Sequence, residues 1–255
     1  MRKLRYGMIG RGVWGERIAY ILRDHSRDVK IFNISRRNKH ESIIDYQEKI
    51  VEEICRNQSE VDVVWLAVPP GDQYIIVKNA LEFNKDIIVE KPWMCKPDET
   101  HKLINIADNK GLQIAVHYQY CFLEELKRIS QLISKSDNEV VFSGEFTVSK
   151  KNRLNIPSVY NLGSHLLAIK CYFFPEAGIG SIKTGYDQEN RRIVRVNNNA
   201  EAYMVNFLYN NEPLIQRFID AFESSIINKT VFPLNMEFSL TVYDEIIKLS
   251  RLQPE

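Results

Sequence analysis

Gly7-Met8-Ile9-Gly10-Arg11-Gly12-Val13-Trp14-Gly15 is the stretch on which the reading of this chain turns. Gly10, Gly12 and Gly15 fit G-x-G-x-x-G between an apolar run and an amphipathic helix pattern, the setting in which that motif marks a dinucleotide site. The first glycine permits a tight turn, the second lets backbone approach a pyrophosphate, and the third lets helix pack closely on strand. Phosphates then meet a helix N-terminus, where unpaired amides and the helix dipole favour negative charge. The helix is credible on its own account, since Ile18, Ile21 and Leu22 fall at i, i+3 and i+4 and leave Glu16, Arg17 and Arg23 for solvent. Arg11, Val13 and Trp14 are expected beside the dinucleotide with the glycines. Trp14 is bulky for such a loop; it packs over the pyrophosphate or the adenine, or fills a gap, and the sequence leaves that choice open.

A second β pattern, Val29 to Ile34, ends in Ser35-Arg36-Arg37, where a dinucleotide fold meets the adenosine ribose. An acidic residue here binds the 2′-hydroxyl of NAD, whereas a guanidinium accommodates the 2′-phosphate of NADP. Arg36 and Arg37 therefore favour NADP, with NAD as the alternative.

At 255 residues, with 44% hydrophobic and 26% charged, the chain has ordinary globular composition and length for one large or two modest domains. A formal charge of +1, without a basic stripe interleaved with aromatics, offers no field for nucleic acid or an anionic membrane, so neither partner is expected. The N-terminal residues run straight into the first strand with no apolar signal segment, and no later run is long enough to span a bilayer. A soluble, cytoplasmic protein is the expectation. Cys55, Cys95, Cys121 and Cys171 lack C-x-x-C spacing, which argues against a zinc site or a disulfide framework and for reduced, largely buried thiols; no metal is expected.

Strand and helix patterns alternate through the first half. Strands are expected near 4–9, 29–34, 61–68, 86–90 and 112–117, and helices near 13–24, 42–56, 72–84 and 97–109, with Asp72 as an N-cap and Gly111 as a C-cap. Val61 to Val68 is almost continuously apolar, as a parallel strand buried on both faces is, and it stops at Pro69-Pro70-Gly71. Such alternation predicts a Rossmann-type doubly wound parallel sheet over residues 1–118. After residue 118 the pattern changes: a helix carrying Leu126, Ile129, Leu132 and Ile133, a long strand over 139–149, a helix near 160–173, strand signals at 181–186, 191–196 and 200–208, then helices near 215–227 and 235–251. Residues 119–255 thus read as an α+β domain with a mainly antiparallel sheet. No Pro/Gly/Ser linker separates the two.

Glu90-Lys91-Pro92 follows the fourth strand directly, at the carboxyl edge where open α/β sheets bind ligands. With the glycine motif, the Val68-Pro69-Pro70 turn and the change to antiparallel signals, the chain resembles the Gfo/Idh/MocA family of NAD(P)-dependent sugar and cyclitol oxidoreductases, most strongly through residue 118. The resemblance implies that Val68, Pro69, Glu90 and Lys91 lie along the cofactor, that Glu-Lys-Pro sits beside the nicotinamide, and that Lys91 contacts the reacting substrate oxygen, where its ammonium would stabilise a developing alkoxide or polarise a carbonyl. It also implies an Asp and a His four residues apart on a substrate-facing helix. The matching segment is Asn161-Leu162-Gly163-Ser164-His165, whose i, i+4 spacing would put Asn161 and His165 on one face. His165 suits a general acid or base for hydride exchange. Asn161 departs from the pattern, because an amide bonds a hydroxyl but cannot ionise. Tyr118 and Tyr160 are candidate substrate ligands; His117 is read as structural.

The implied chemistry is hydride exchange between nicotinamide and a secondary alcohol or ketone of a sugar, cyclitol or nucleotide-linked sugar. The second domain is shorter than in many members of the family, which leaves two rivals: an imine reductase of a biosynthetic pathway, and a non-catalytic dinucleotide-binding regulator. A homo-oligomer, dimer or tetramer, formed through the C-terminal sheet is also expected.

Overall fold

The computed structural model describes residues 3–10, 12–32, 40–134, 139–149, 156–186, 189–207 and 212–252. The chain forms two compact units, residues 1–117 with 219–240 and residues 118–218 with 241–255.

In the first unit, strands β1 (Arg5–Ile9), β2 (Asp28–Ile31), β3 (Val63–Leu66), β4 (Asp86–Val89) and β5 (Ile114–Val116) alternate with helices α1 (Val13–Asp24), α2 (Ile43–Arg56), α3 (Pro70–Glu82) and α4 (Pro97–Lys110). The strands pair in parallel in the order β2-β1-β3-β4-β5, a doubly wound arrangement. Every residue of β3 is buried, as its continuous apolar run required. Ile18, Ile21 and Leu22 bury the inner face of α1. Residues 219–240 join this unit: Val116 donates its N–H to Leu234 O at 3.2 Å and Ala115 bridges Asn235, so the β5 edge is covered by chain from far along the sequence.

Two details depart from the expectations for this half. Helix α3 starts at Pro70 with Pro69 in the capping position, so Asp72 lies in the first turn and is not the N-cap; a proline at the first helical position has no N–H to satisfy and its φ is preset for helix. β2 begins one residue earlier than expected, at Asp28, and is described to Ile31, with Phe32 still donating to Met8 O at 3.0 Å; residues 33 and 34 lie outside the described residues. Ser35, Arg36 and Arg37, and also Arg11, lie outside the described residues.

The second unit holds α5 (Glu124–Ile133), β6 (Val140–Val148), α6 (Ser158–Asn161), α7 (Gly163–Phe173), β7 (Gly178–Tyr186), β8 (Arg191–Asn198) and β9 (Ala202–Asn206); helices α8 (Glu212–Asn228) and α9 (Met236–Leu252) each contribute residues to both units. The sheet order is β7-β6-β8-β9. β6 pairs antiparallel with β8, and β8 with β9, but β6 and β7 are parallel because α6 and α7 form the crossover between them. Phe142, Phe146, Ile182, Val194, Val196 and Val205 are buried in this unit. Gly144 lets α7 come close: a Cβ there would stand 2.8 Å from Leu166 Cδ2. The helix expected over 160–173 is broken at Leu162, where Gly163 is a poor helix former and the Ser164 hydroxyl bonds back to Asn161 O at 3.3 Å.

Candidate functional site

The glycine loop is shaped by close approaches that only glycine tolerates. Gly10 has φ +110°, in the left-handed region, and a Cβ on it would lie 2.3 Å from Ala67 O. A Cβ on Gly15 would lie 2.0 Å from Gly10 O. These two glycines hold β1, α1 and the end of β3 together. Gly12 is different, because a Cβ there would meet nothing within 4 Å among the described residues. It is the N-cap of α1 and makes no side-chain cap, leaving the first amides of the helix to be satisfied from the space above it. Val13 beside it is 87% exposed. An open cradle over an uncapped helix N-terminus, walled by backbone, has the amide donors a pyrophosphate needs. The residues present therefore fit a dinucleotide.

The ladder carries this edge across the sheet. Ala67 N–H donates to Ile9 O at 2.8 Å, Glu90 N–H to Leu66 O at 2.9 Å and His117 N–H to Val89 O at 2.9 Å, so the residues following β1, β3, β4 and β5 form one rim. Glu90 turns inward and is 6% exposed: its Oε1 accepts from Trp65 Nε1 at 3.1 Å and bonds His117 Nδ1 at 2.8 Å, and its carbonyl accepts from Gln73 Nε2 at 2.7 Å. The side chain of Glu90 thus anchors the rim, and it is half-buried Lys91 that follows at the edge, through a cis Lys91–Pro92 peptide. His117, read as structural from the sequence, is fully buried between Glu90 and the edge-on indole of Trp65, ring centroids 5.0 Å apart. Trp14, half-buried, holds its ring 6.5 Å from that of His117, and Arg17 lies 5.5 Å over the indole.

A cavity of about 770 Å³ opens at the other end of the strands, lined among others by Asp86, Gly111, Gln113, Thr230 and Val231. Parallel sheets of this order bind ligands at the carboxyl edge, so this cavity is not where a dinucleotide belongs.

In the second unit, His165 is 4% exposed on α7 and packs against Tyr120, centroids 4.7 Å apart and edge-on, and against Phe146 at 5.5 Å. Arg192 donates from Nη1 to the Tyr120 hydroxyl at 2.9 Å and lies 5.2 Å over the Phe146 ring. Sequence reasoning missed Tyr120 and Arg192. The available signal was register: Phe146 of β6 pairs directly with Arg192 of β8, which puts both on the face that carries His165. Asn161 and Tyr160 are half-buried at the end of α6. Tyr118 is 2% exposed, and burial above all raises its phenol beyond its ordinary range, so it stays neutral.

The cysteines are all free, but not uniformly buried: Cys95 and Cys121 are buried, Cys171 is half-buried and Cys55 is exposed. Burial pushes the Cys95 thiol up to about 12 and Cys171 to about 11, so neither is a thiolate at neutral pH.

A parallel doubly wound unit with a glycine cradle at its carboxyl edge, joined to a mixed, mostly antiparallel unit, defines the class of dinucleotide-binding oxidoreductase folds. Residues 4–118 match the oxidoreductase family with an NAD-binding Rossmann fold, GFO_IDH_MocA. Among curated proteins it is 27% identical over 120 residues to an uncharacterised oxidoreductase of Schizosaccharomyces pombe, covering 43% of this chain and 32% of the relative. It is 22% identical over 185 residues to the scyllo-inositol 2-dehydrogenase (NADP(+)) of Bacillus subtilis, covering 67% and 52%. The matches thus span a third to a half of the length of those relatives. Among solved structures it resembles UDP-N-acetylglucosamine 3-dehydrogenase from Acidithiobacillus ferrooxidans, with TM-score 0.74, 15% identity and 97% of each chain covered. It also resembles scyllo-inositol dehydrogenase from Lactobacillus casei, with TM-score 0.78, 10% identity and coverage of 98% and 96%. At these identities the likeness is one of fold.

Proposed function

We propose that the protein is an NAD(P)-dependent oxidoreductase that moves a hydride between nicotinamide and a secondary alcohol or ketone of a sugar, cyclitol or nucleotide-linked sugar, with NADP preferred. The open cradle above Gly12, at the uncapped N-terminus of α1, carries the cofactor reading. Relatives named as inositol and nucleotide-sugar dehydrogenases support the substrate class. The NADP preference rests on the residue types at 36 and 37.

When bound, the dinucleotide supplies the hydride donor or acceptor. Gly10, Gly12, Val13, Trp14 and Gly15 cradle it with Val68 and Pro69, and Glu90 fixes the rim that presents Lys91. Lys91 carries the charge that stabilises a developing alkoxide, His165 passes the proton, and Asn161, Tyr118 and Tyr160 bond substrate hydroxyls. Asn161 cannot take a proton, so His165 works without a carboxylate partner at that position. On this reading residues 1–118 are the cofactor domain and residues 119–255 the substrate and oligomerisation domain, with 219–240 returning to the first compact unit. Met204, 65% exposed on β9, and Ile179, 37% exposed on β7, are apolar surface for a homo-oligomeric contact. No helix among the described residues is long and apolar enough to cross a membrane; a cytoplasmic place is part of the proposal.

The test is a calorimetric titration with NADPH and NADH, followed by turnover on a keto-sugar and cyclitol panel with Lys91→Ala alongside. The expected result is at least tenfold tighter NADPH binding, about 1.4 kcal/mol, and a Lys91→Ala variant that binds NADPH normally yet loses most turnover. Binding of neither nucleotide would overturn the oxidoreductase assignment. Binding without turnover on any substrate of the panel would favour the regulator.

A further inference from the structure

We propose that Trp14 is the side chain through which the glycine loop engages the nicotinamide half of a bound dinucleotide, and that His117 positions its indole for that contact; the proposal rests on the dinucleotide reading above. Three observations lead there. The sheet order puts β2 on one side of β1 and β3, β4 and β5 on the other. With phosphates over Gly12 and the adenosine ribose toward the end of β2, the rest of a dinucleotide must run over the carboxyl ends of β3 to β5. Trp14 leaves the loop after β1, yet its ring comes within 6.5 Å of His117, the residue that follows β5. Three strand spacings separate β1 from β5, roughly 14 Å, so the indole must lie along that path.

Secondly, the two rings are held differently. His117 is pinned by its N–H to Val89 O, by Glu90 at Nδ1 and by the edge of Trp65. The indole N–H of Trp14 is buried and has no acceptor among the described residues. A buried donor left unmet is costly, and the ribose hydroxyls and carboxamide carbonyl of a nicotinamide nucleoside are acceptors. Thirdly, the chain has three tryptophans, and the other two are already satisfied: Trp65 Nε1 donates to Glu90 and Trp93 Nε1 to Thr100 Oγ1 at 2.9 Å, both in the core. Trp14 is the indole left to respond to a ligand.

The experiment compares the wild-type chain with Trp14→Phe, using calorimetry and tryptophan emission, with NADPH, NADH and, as a probe lacking the nicotinamide nucleoside, ADP or its 2′-phosphate. The phenyl ring keeps the contact surface toward His117 and removes only the N–H and the larger ring. The expected result is three- to tenfold weaker binding of the preferred dinucleotide, unchanged binding of the probe, and loss of most of the ligand-induced emission change. Emission from Trp65 and Trp93 reports that the core is intact; where it is not, Trp14→Leu serves the same comparison. Wild-type dinucleotide binding that Trp14→Phe leaves within twofold, an emission change that persists, or an equal loss for the probe overturns this proposal alone. A wild-type chain that binds neither dinucleotide overturns the parent reading and this one together.

Discussion

Gly12 and Gly15 stand three residues apart in one motif and do opposite things. Gly15 is needed by the fold, since any side chain there collides with Gly10 O at 2.0 Å. Gly12 is needed by no neighbour among the described residues, since its Cβ would meet none of them within 4 Å. Gly15→Ala should therefore destabilise by about 3 kcal/mol or more, by overpacking against backbone that cannot retreat. Gly12→Val should leave stability within about 0.5 kcal/mol and weaken NADPH binding at least tenfold, because its side chain occupies the cradle. Urea unfolding and calorimetry on both variants check the pair; a Gly12→Val chain that binds normally would mean that the space above α1 is not the phosphate site. The motif itself identified all three glycines. Which of them serves the fold and which the ligand depends on where Ala67 and Gly10 O lie, and that is a matter of packing.

Helix α8 shows how an element is tied to a unit by charge as well as by apolar burial. Its second half carries Asp220 and Glu223, which accept from Arg27 at 2.6 and 2.9 Å, and Glu223 also accepts from the buried Tyr6 hydroxyl at 2.9 Å. Burial and the charge of Glu223 raise the Tyr6 phenol well above its ordinary value, so it remains a donor. Glu223→Ala leaves a guanidinium and a phenol without that acceptor in the interior, and should cost about 3 kcal/mol; Glu223→Gln keeps an acceptor for Tyr6 and should cost less. Urea unfolding of the two variants separates them, and equal losses would mean that a neutral acceptor toward Tyr6 adds nothing once the charge of Glu223 is gone. The amphipathic pattern announced α8, but its partners Tyr6 and Arg27 lie some 200 positions away, and no local signal names them. The break between α6 and α7 is local instead, at Leu162 and Gly163, and because of it Asn161 and His165 keep their spacing in the chain while one helix does not carry both.

For the molecule as a whole, one carboxyl sets a pH dependence of stability. Burial pushes Asp86, at the amino end of β4, up to about 6 from an ordinary 3.8, against the opposing bond from Gln113 N–H. The fold therefore holds the proton more tightly than the unfolded chain. Its stabilising share is full below about pH 4 and is lost as pH rises through about 6, up to about 3 kcal/mol at pH 7 and above. Asp86→Asn keeps an acceptor for Gln113 and cannot ionise, so it should be more stable than wild type at pH 8 and similar at pH 4. Urea unfolding at pH 4, 6 and 8 measures the difference; a gap independent of pH would remove Asp86 as its source.

The parallel sheet, the order of its elements, the glycine loop and the Lys91 edge were all legible in the chain, because each depends on local periodicity or on residue types that only one backbone geometry accepts. The orientation of Glu90 toward Trp65 and His117, the grouping of Tyr120, Phe146, His165 and Arg192, the return of residues 219–240 to the first unit and the reach of Trp14 toward His117 were decided by tertiary structure. Each joins residues distant in the chain, and such contacts are selected by packing and by the satisfaction of buried polar groups, neither of which leaves a periodic trace in sequence.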